Sequence, residues 1–380
     1  MSRAGSFIAY EFFAGGGMAR AGLGHGWTTA FANDFDALKA QTYRANWPAE
    51  DMAEGDVWAV DADRLPGRAD LAWASSPCQD FSLAGGRAGL RGDRSSAFWG
   101  YWRLIEALAD QGRAPRALVI ENVCGLLTAN GGADFAALAR ALAGQGYRFG
   151  ALEIDAADFL PQSRPRLFIV ATRERPPPQL LGDSPFHSPA VRLAQAALQE
   201  SVQAHWLWWS PGAAPRRNSD LASLLEPDGA VRWHSPDQTR HLLSLMAPLH
   251  QAKVEDARQA SHKGVRQVGA LFRRTRVEDG CSQQRAEARF DGLAGCLRTP
   301  RGGSSRQVLL IADRGQVRTR LLSGREGARL MGLPDDYRLP LSATGALHVV
   351  GDGVAVPVVR FLAERLLEPL LDQAKPIAAE

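Results

Sequence analysis

Over its first ~175 residues the chain alternates short apolar runs with helical patterns, and that alternation admits few folds beyond an α/β sheet flanked by helices. Phe7 to Phe13 reads as a strand, followed by the turn Phe13-Ala14-Gly15-Gly16-Gly17 and a short helix through Leu23. Thr28 to Ala32 is a second strand ending at Asn33-Asp34, and Asp36 to Asn46 suits a helix stopped by Pro48. Leu71 to Ala74, Ala117 to Glu121, Arg148 to Ile154 and Leu167 to Ala171 supply further strands, with a helix over Asp134 to Ala143. The expected architecture is a doubly wound, Rossmann-like sheet. Polar residues fall at or just beyond the carboxyl ends of its strands, the edge on which such sheets bind ligands.

The stiff run Arg175-Pro176-Pro177-Pro178 breaks the alternation and reads as a linker. The expected organisation is therefore an α/β domain over 1–175, a smaller irregular domain over 176–344, and a final segment over 345–380. In that last segment a glycine turn, a valine-rich strand and a helix over Val358 to Leu367 are expected. A length of 380 residues is enough for two domains with cores of their own.

The net charge of +3 is unevenly spread. From Arg216 to Arg325 there are 20 Lys and Arg against 11 Asp and Glu, so the rest of the chain is acidic. A basic second domain fits a polyanionic partner, although an arginine-rich surface is also an ordinary solvated one. No apolar run approaches the ~20 residues of a membrane span, and Met1 to Gly5 lacks the apolar core of a signal peptide, so a cytoplasmic location is expected. The four cysteines, Cys78, Cys124, Cys281 and Cys296, form no CxxC pair, and neither a metal site nor a disulfide framework is expected. The cluster His205-Trp206-Leu207-Trp208-Trp209 reads as core.

Three groups of residues carry chemistry. Glycines let backbone approach a ligand closely, and Asp34 after the second strand suits ribose hydroxyls; Gly55-Asp56-Val57 offers another acid for an adenine edge. Either aspartate taken alone is as readily a helix cap. Ser75-Ser76-Pro77-Cys78-Gln79 puts a thiol just past a strand end, before the Gly- and Arg-rich segment from Ser82 to Ser96, which suits a loop closing on a charged ligand. Most lone cysteines are small buried hydrophobes. Glu121 ends an apolar strand, where a buried acid can hand a proton to a ring nitrogen. Arg164 and Arg166 sit two apart on an extended stretch and so face opposite ways, one toward a site and one toward the fold.

In this order the segments resemble the motifs of the DNA (cytosine-5)-methyltransferase family, of bacterial or phage type, over nearly the whole chain. Phe13 to Gly17 is similar to the first S-adenosylmethionine motif, Asn33-Asp34 and Gly55-Asp56-Val57 to the next two, and Ser76-Pro77-Cys78-Gln79 to the nucleophile motif. Glu121-Asn122-Val123 resembles the target-base motif, and Gln162-Ser163-Arg164-Pro165-Arg166 the arginine motif. Arg289 to Gln307 with Arg325 to Tyr337 resembles the end of the target-recognition domain, and Gly351 to Pro357 the final motif.

The resemblance implies S-adenosyl-L-methionine as cofactor and double-stranded DNA as partner. It implies Cys78, Glu121, Arg164 and Arg166 as catalytic residues, with Arg164 at the O2 of a flipped cytosine and Arg166 supporting the pocket. It implies a cofactor site of Phe13, Ala14, Gly15, Gly16, Gly17, Asp34, Phe35, Asp56, Val57, Pro77, Asp352 and Val354, and DNA contacts from Gln79, Ser82, Arg298, Arg301 and Arg306. A monomer is expected, since an asymmetric recognition domain needs no two-fold partner, and a cognate restriction endonuclease, a phage-protective role and an orphan regulatory role stay open as its biological setting. Glu11, Met18, Asp34 and Asp352 depart from the family pattern, and Asp352, where the family usually has Asn, bears on donor preference. A tRNA cytosine-5 methyltransferase or a non-catalytic DNA-binding regulator on the same scaffold are the alternatives. Enzymes with two catalytic cysteines fit less well, since Glu121-Asn122-Val123 carries no thiol.

Overall fold

Seven strands form the larger sheet: β1 (Phe7–Phe12), β2 (Trp27–Asp34), β3 (Met52–Glu54), β4 (Leu71–Ser75), β5 (Ala117–Asn122), β6 (Arg148–Asp155) and β7 (Pro165–Thr172). The computed structural model describes residues 7–77, 97–278, 281–299 and 306–372. Strand order is β3-β2-β1-β4-β5-β7-β6. β1 pairs in parallel with β2 and β4, and β4 with β5, whereas β7 runs antiparallel between β5 and β6. The expected α/β sheet is present, with that one antiparallel strand as its refinement. Helices α1 (Met18–Leu23), α2 (Ala37–Asn46), α3 (Ala97–Asp110) and α4 (Ala133–Gly144) connect the strands. Fully buried Tyr10, Phe12, Phe98, Tyr101, Leu118, Ile120 and Leu138 build one core.

Two compact units divide the chain. Met1–Asp155, Pro165–Ala214 and Gly353–Glu380 form the first; Ala156–Arg164 and Pro215–Asp352 form the second. The first unit runs well past the expected 175/176 boundary, through helices α5 (Pro189–Ala196) and α6 (Glu200–Gln203). The physical cause is a close backbone approach. Leu207 N–H donates to Phe149 C=O at 2.7 Å, and a Cβ on Gly150 would lie 1.9 Å from Leu207 O, so only glycine fits there. Trp209, fully buried, donates its indole N–H to Val170 C=O at 2.9 Å.

The second unit is more regular than its sequence pattern suggests. Helices α7 (Pro236–Ser244) and α8 (Pro248–His262) precede a four-stranded antiparallel sheet of β8 (Gln267–Glu278), β9 (Cys281–Arg289), β10 (Val308–Asp313) and β11 (Gln316–Leu321), in the order β11-β10-β8-β9. Leu242, Met246 and Val254 of the helices pack against Leu271, Ala286, Ala288, Val308 and Leu310 of the strands. Helices α9 (Gly324–Leu330) and α10 (Ala343–Asp352) follow. Arg320 and Glu326, 0% and 1% exposed at their side chains, form a bidentate pair at 2.6 and 2.7 Å.

The valine-rich strand expected before Val358 is not a strand: helix α10 runs to Asp352 and helix α11 (Val356–Leu362), with Pro357 in its first turn, opens the helix expected over Val358 to Leu367, and Glu368–Asp372 is helix α12. Packing overrides β-branched propensity here. Gly22 of α1 lets Val359 approach so closely that a Cβ would fall 2.4 Å from Val359 Cβ, and Arg360 donates to Leu23 C=O. The helical stretch Ala343–Asp372 is apolar enough to cross a membrane by composition, yet 67% of its apolar window is buried, as in a core helix.

Candidate active site

The glycine turn after β1 needs unusual backbone. Phe13, Gly15 and Gly17 take φ of 57, 56 and 80°, the left-handed region. At Gly17 a Cβ would meet Trp47 Nε1 at 2.3 Å, and that indole donates to Gly16 C=O at 3.0 Å. Gly15 differs, since a Cβ there would meet nothing within 4 Å, which marks open space along the turn. Met18, where a glycine is common in the family, is buried, and a Cβ on Gly353 would lie 2.3 Å from its sulfur. Buried Val354 follows directly.

Asp34 secures the turn. Its Oδ2 accepts from Gly15 N–H and its Oδ1 from Asp36 N–H, both at 2.8 Å. Burial raises its pKa, which Lys39 and those N–H groups oppose. A carboxylate has about four acceptor sites, so each oxygen keeps one for a ligand hydroxyl. Phe35, next to it, is 79% exposed, an uncovered aromatic face. Gly55 takes φ 134°, and exposed Asp56 caps a short turn by accepting from Trp58 N–H at 3.0 Å, above buried Val57. A backbone cradle, a strand-end acid beside it and an open ring fit a nucleoside-bearing ligand.

Beneath the turn Glu11 is an unusual acid. Its Oε1 accepts from Arg20 N–H at 3.3 Å, while Oε2 is buried without a partner. Burial lifts this carboxyl to about 8.

A second group of residues sits at the ends of β4 and β5. Ser75 is in register with Glu121. Asn122 Nδ2 donates to Ser76 C=O at 3.0 Å and to its hydroxyl at 3.2 Å, which ties down the chain that enters Pro77. Cys78, Gln79, Ser82 and the rest of the Ser82 to Ser96 segment lie outside the described residues, as does Arg301. Glu121 is 5% exposed, and its Oε1 pairs with Arg166 Nε at 3.3 Å. Arg166 also donates to Pro165 C=O at 2.8 Å.

The two arginines have separate partners. Arg166, not Arg164, meets the acid. Arg164 belongs to the second unit, 2% exposed, where it donates to Leu297 C=O at 2.9 Å, to Gly351 C=O at 3.1 Å and to Cys296 Sγ at 3.4 Å. Asp352, exposed at the end of α10, also belongs to the second unit and accepts from Thr299 Oγ1 there. Arg298 is exposed and Arg306 half-buried in the same unit.

One neighbour was not anticipated. Cys124 directly follows Glu121-Asn122-Val123, and burial together with the Glu153 carboxylate pushes its thiol up to about 12. Glu153 is in turn held by Ser188 Oγ at 2.6 Å. A thiol so far above neutrality is a poor nucleophile. No periodicity in the sequence marks the Cys124–Glu153 contact, because the two residues lie on different elements.

Comparison with known proteins follows from this geometry. The family model of C-5 cytosine-specific DNA methylases matches residues 7–368. A type II methyltransferase of Bacillus subtilis, M.BsuFI, is 27% identical over 363 residues, 95% of this chain and 72% of that protein. M1.ScrFI of Lactococcus lactis subsp. cremoris is 26% identical over 343 residues, 90% of this chain and 72% of that protein. Among solved structures, the Dnmt2 methyltransferase of S. pombe superposes with a TM-score of 0.60 at 16% identity, covering 96% of this chain and 99% of the other. A prophage-encoded DNA modification methyltransferase structure from E. coli gives a TM-score of 0.53 at 16% identity, covering 97% of this chain and all of the other. These two likenesses are likenesses of fold.

Proposed function

This chain belongs to the C-5 cytosine-specific DNA methylase family, and on that premise we propose that it methylates C5 of a cytosine flipped from a specific double-stranded DNA sequence. The observation that carries the reading is the buried Glu121–Arg166 pair beside the strand end that leads to Cys78. Flipping is required because the ring carbons are unreachable within the stack.

S-adenosyl-L-methionine, the proposed donor, supplies a methyl group made electrophilic by its sulfonium. Phe13, Ala14 and the backbone of Gly15, Gly16 and Gly17 line it, Asp34 accepts from its ribose and Phe35 stacks on its adenine. Asp56 accepts from the adenine amino group, and Val57, Pro77 and Val354 complete the walls. The Cys78 thiolate adds to C6 of the cytosine. Glu121 provides the proton taken up at N3, so that electron density moves to C5 and C5 accepts the methyl group. Loss of the C5 proton to water then breaks the S–C6 bond and frees the thiolate, and return of the N3 proton to Glu121 restores the neutral aromatic ring. Arg164 is the guanidinium assigned to the O2 side of the base, and Arg166, paired with Glu121, supports the pocket. Gln79, Ser82, Arg298, Arg301 and Arg306 are assigned to DNA.

On the same footing the protein acts as a monomer in the cytoplasm, with a cognate restriction endonuclease as its biological counterpart. The test is mass spectrometry of nucleosides from host DNA after expression in a bacterium lacking cytosine methylation, with Cys78→Ala in parallel. The expected result is 5-methylcytosine with the intact protein and none with Cys78→Ala. Unmodified DNA from soluble protein, with 5-methylcytosine in tRNA instead, overturns the DNA reading.

A further inference from the structure

Glu11 sits on β1 just before the glycine turn and takes no part in the chemistry proposed above. It is 2% exposed; one oxygen accepts from Arg20 N–H at 3.3 Å and the other is enclosed without a hydrogen-bond partner. Asp34, whose carboxylate holds Gly15 N–H at 2.8 Å, is near enough for its charge to act on Glu11. Glu11 therefore lies within electrostatic reach of the turn that lines the donor.

The groups around Glu11 do not neutralise it. The Arg20 guanidinium on α1 acts on it, but its Nη1 donates to Asp51 at 2.6 Å and to Tyr43 Oη at 2.8 Å. From β2 come Asp34 and, in register, Ala32; from β4, Trp73; from α2, Tyr43, whose hydroxyl burial keeps protonated. Helix α11 packs on α1 through Val359, and its Arg360 is bound to Leu23 C=O and to Glu368. Burial therefore dominates and keeps the Glu11 carboxyl largely protonated at neutral pH. An acid held neutral by desolvation ionises when a cation comes to rest near it, and the coupling is strongest where water is excluded. The donor carries such a cation, its sulfonium. The product of methyl transfer is a neutral thioether.

We propose that Glu11 makes the donor site selective for the sulfonium: it releases its proton to solvent when S-adenosylmethionine binds and keeps it when S-adenosylhomocysteine binds. The proposal rests on the donor assigned above and deepens it by naming the residue that separates donor from spent product. Proton release makes donor affinity rise with pH, by up to about tenfold per unit. The rise ends at about 8, where the free protein has itself lost the proton. Product affinity stays level, so the preference for donor over product grows over the same window.

The test is calorimetry on the full chain with S-adenosylmethionine and with S-adenosylhomocysteine, in buffers of different ionisation enthalpy, which counts protons directly. The wild-type protein near neutral pH should release roughly half to one proton per donor bound and close to none per product. Glu11→Gln, whose amide replaces a protonated carboxyl, should keep the fold, abolish the release and level the donor's pH dependence. Asp34 is also raised by burial, and this variant separates the two acids. Donor binding to wild-type protein without proton release overturns the proposal, as does equal release with the product. Release that persists in folded Glu11→Gln overturns it too, by assigning the proton to another group. Failure of wild-type protein to bind either compound overturns the donor assignment itself.

Discussion

At the strand ends of the first unit the polar side chains are tied to backbone or to each other: Asp34 to two N–H groups, Asn122 to Ser76, Glu121 to Arg166. Along the β8–β9 hairpin the side chains of Thr275, Ser282, Gln283 and Gln284 stand exposed, and Arg274 and Arg276 share the Glu287 carboxylate. The first arrangement fixes atoms before a ligand arrives, as chemistry requires. The second leaves long side chains adjustable. Fixed groups should therefore be costly to alter in rate or stability, and adjustable ones costly only in binding.

The largest effect that would break this contrast lies at Glu121. Glu121→Gln keeps the shape but removes the proton-donating carboxyl and the charge facing Arg166, and kcat should fall by ~10²–10⁴ with donor binding unchanged. Single-turnover methyl transfer measures it. A loss of less than threefold would mean that Glu121 is only a partner for Arg166.

Burial, rather than the unit a residue belongs to, should decide the next case. Arg320–Glu326 lies in the same unit as the hairpin but is fully enclosed. Glu326→Gln leaves a buried guanidinium uncompensated and should cost about 3–5 kcal/mol in urea unfolding. Burial pushes the Glu326 carboxyl up, but hydrogen bonds from Arg320 and Ser323 outweigh it and hold the carboxyl below its usual range. Its stabilisation is therefore present above the unfolded pKa of ~4.3 and is lost as pH falls through the lower folded value.

Glu11 should show the opposite sign. Its folded value of about 8 means that the native state keeps a proton the unfolded chain has released. Stability should fall as pH rises from ~4.3 to about 8 and level off above, each unit costing up to ~1.4 kcal/mol. Glu11→Gln should flatten that limb in thermal melts taken across the window. A limb of unchanged slope would mean that another group titrates.

How much of this could be read from the chain follows from the same division. The turn at Phe13 to Gly17 was legible because left-handed backbone demands glycine, and the strand-end acids because an apolar run has to end somewhere polar. The period of two sets Arg164 and Arg166 on opposite faces, but it carries no information about which partner each one finds. Trp206 and Trp209 were legible as core; that they belong to the first unit depends on Gly150, a close approach that no local pattern announces. The hairpin was illegible because alternating Arg, Thr and Gln have no apolar period. The valines before Val358 misled because tertiary packing against α1 outweighs strand propensity.

Two neighbouring glycines separate backbone demand from ligand demand. Gly17→Ala adds a left-handed penalty of ~1–2 kcal/mol and drives a methyl group into Trp47, so stability should drop by about 2–4 kcal/mol. Gly15→Ala carries the same backbone penalty but meets open space, so stability should fall by only ~1–2 kcal/mol while the donor KM rises. Equal stability losses at the two positions would refute the idea that the space at Gly15 is kept for a ligand.

The smallest expected effect is the sharpest test of the contrast. Glu287 pairs with Arg274 and Arg276 on an open face, both arginines more than half exposed. Exposed ion pairs contribute ~0–1 kcal/mol, so Glu287→Gln should leave the unfolding midpoint almost unmoved. Binding should respond in the other direction from every first-unit substitution. Removing this carboxylate frees both guanidiniums for phosphates, so duplex affinity should rise and the salt slope steepen, read by fluorescence anisotropy across a salt series. A large stability loss with no change in slope would make the hairpin a rigid element like the strand ends, and the distinction between fixed and adjustable groups would fall with it.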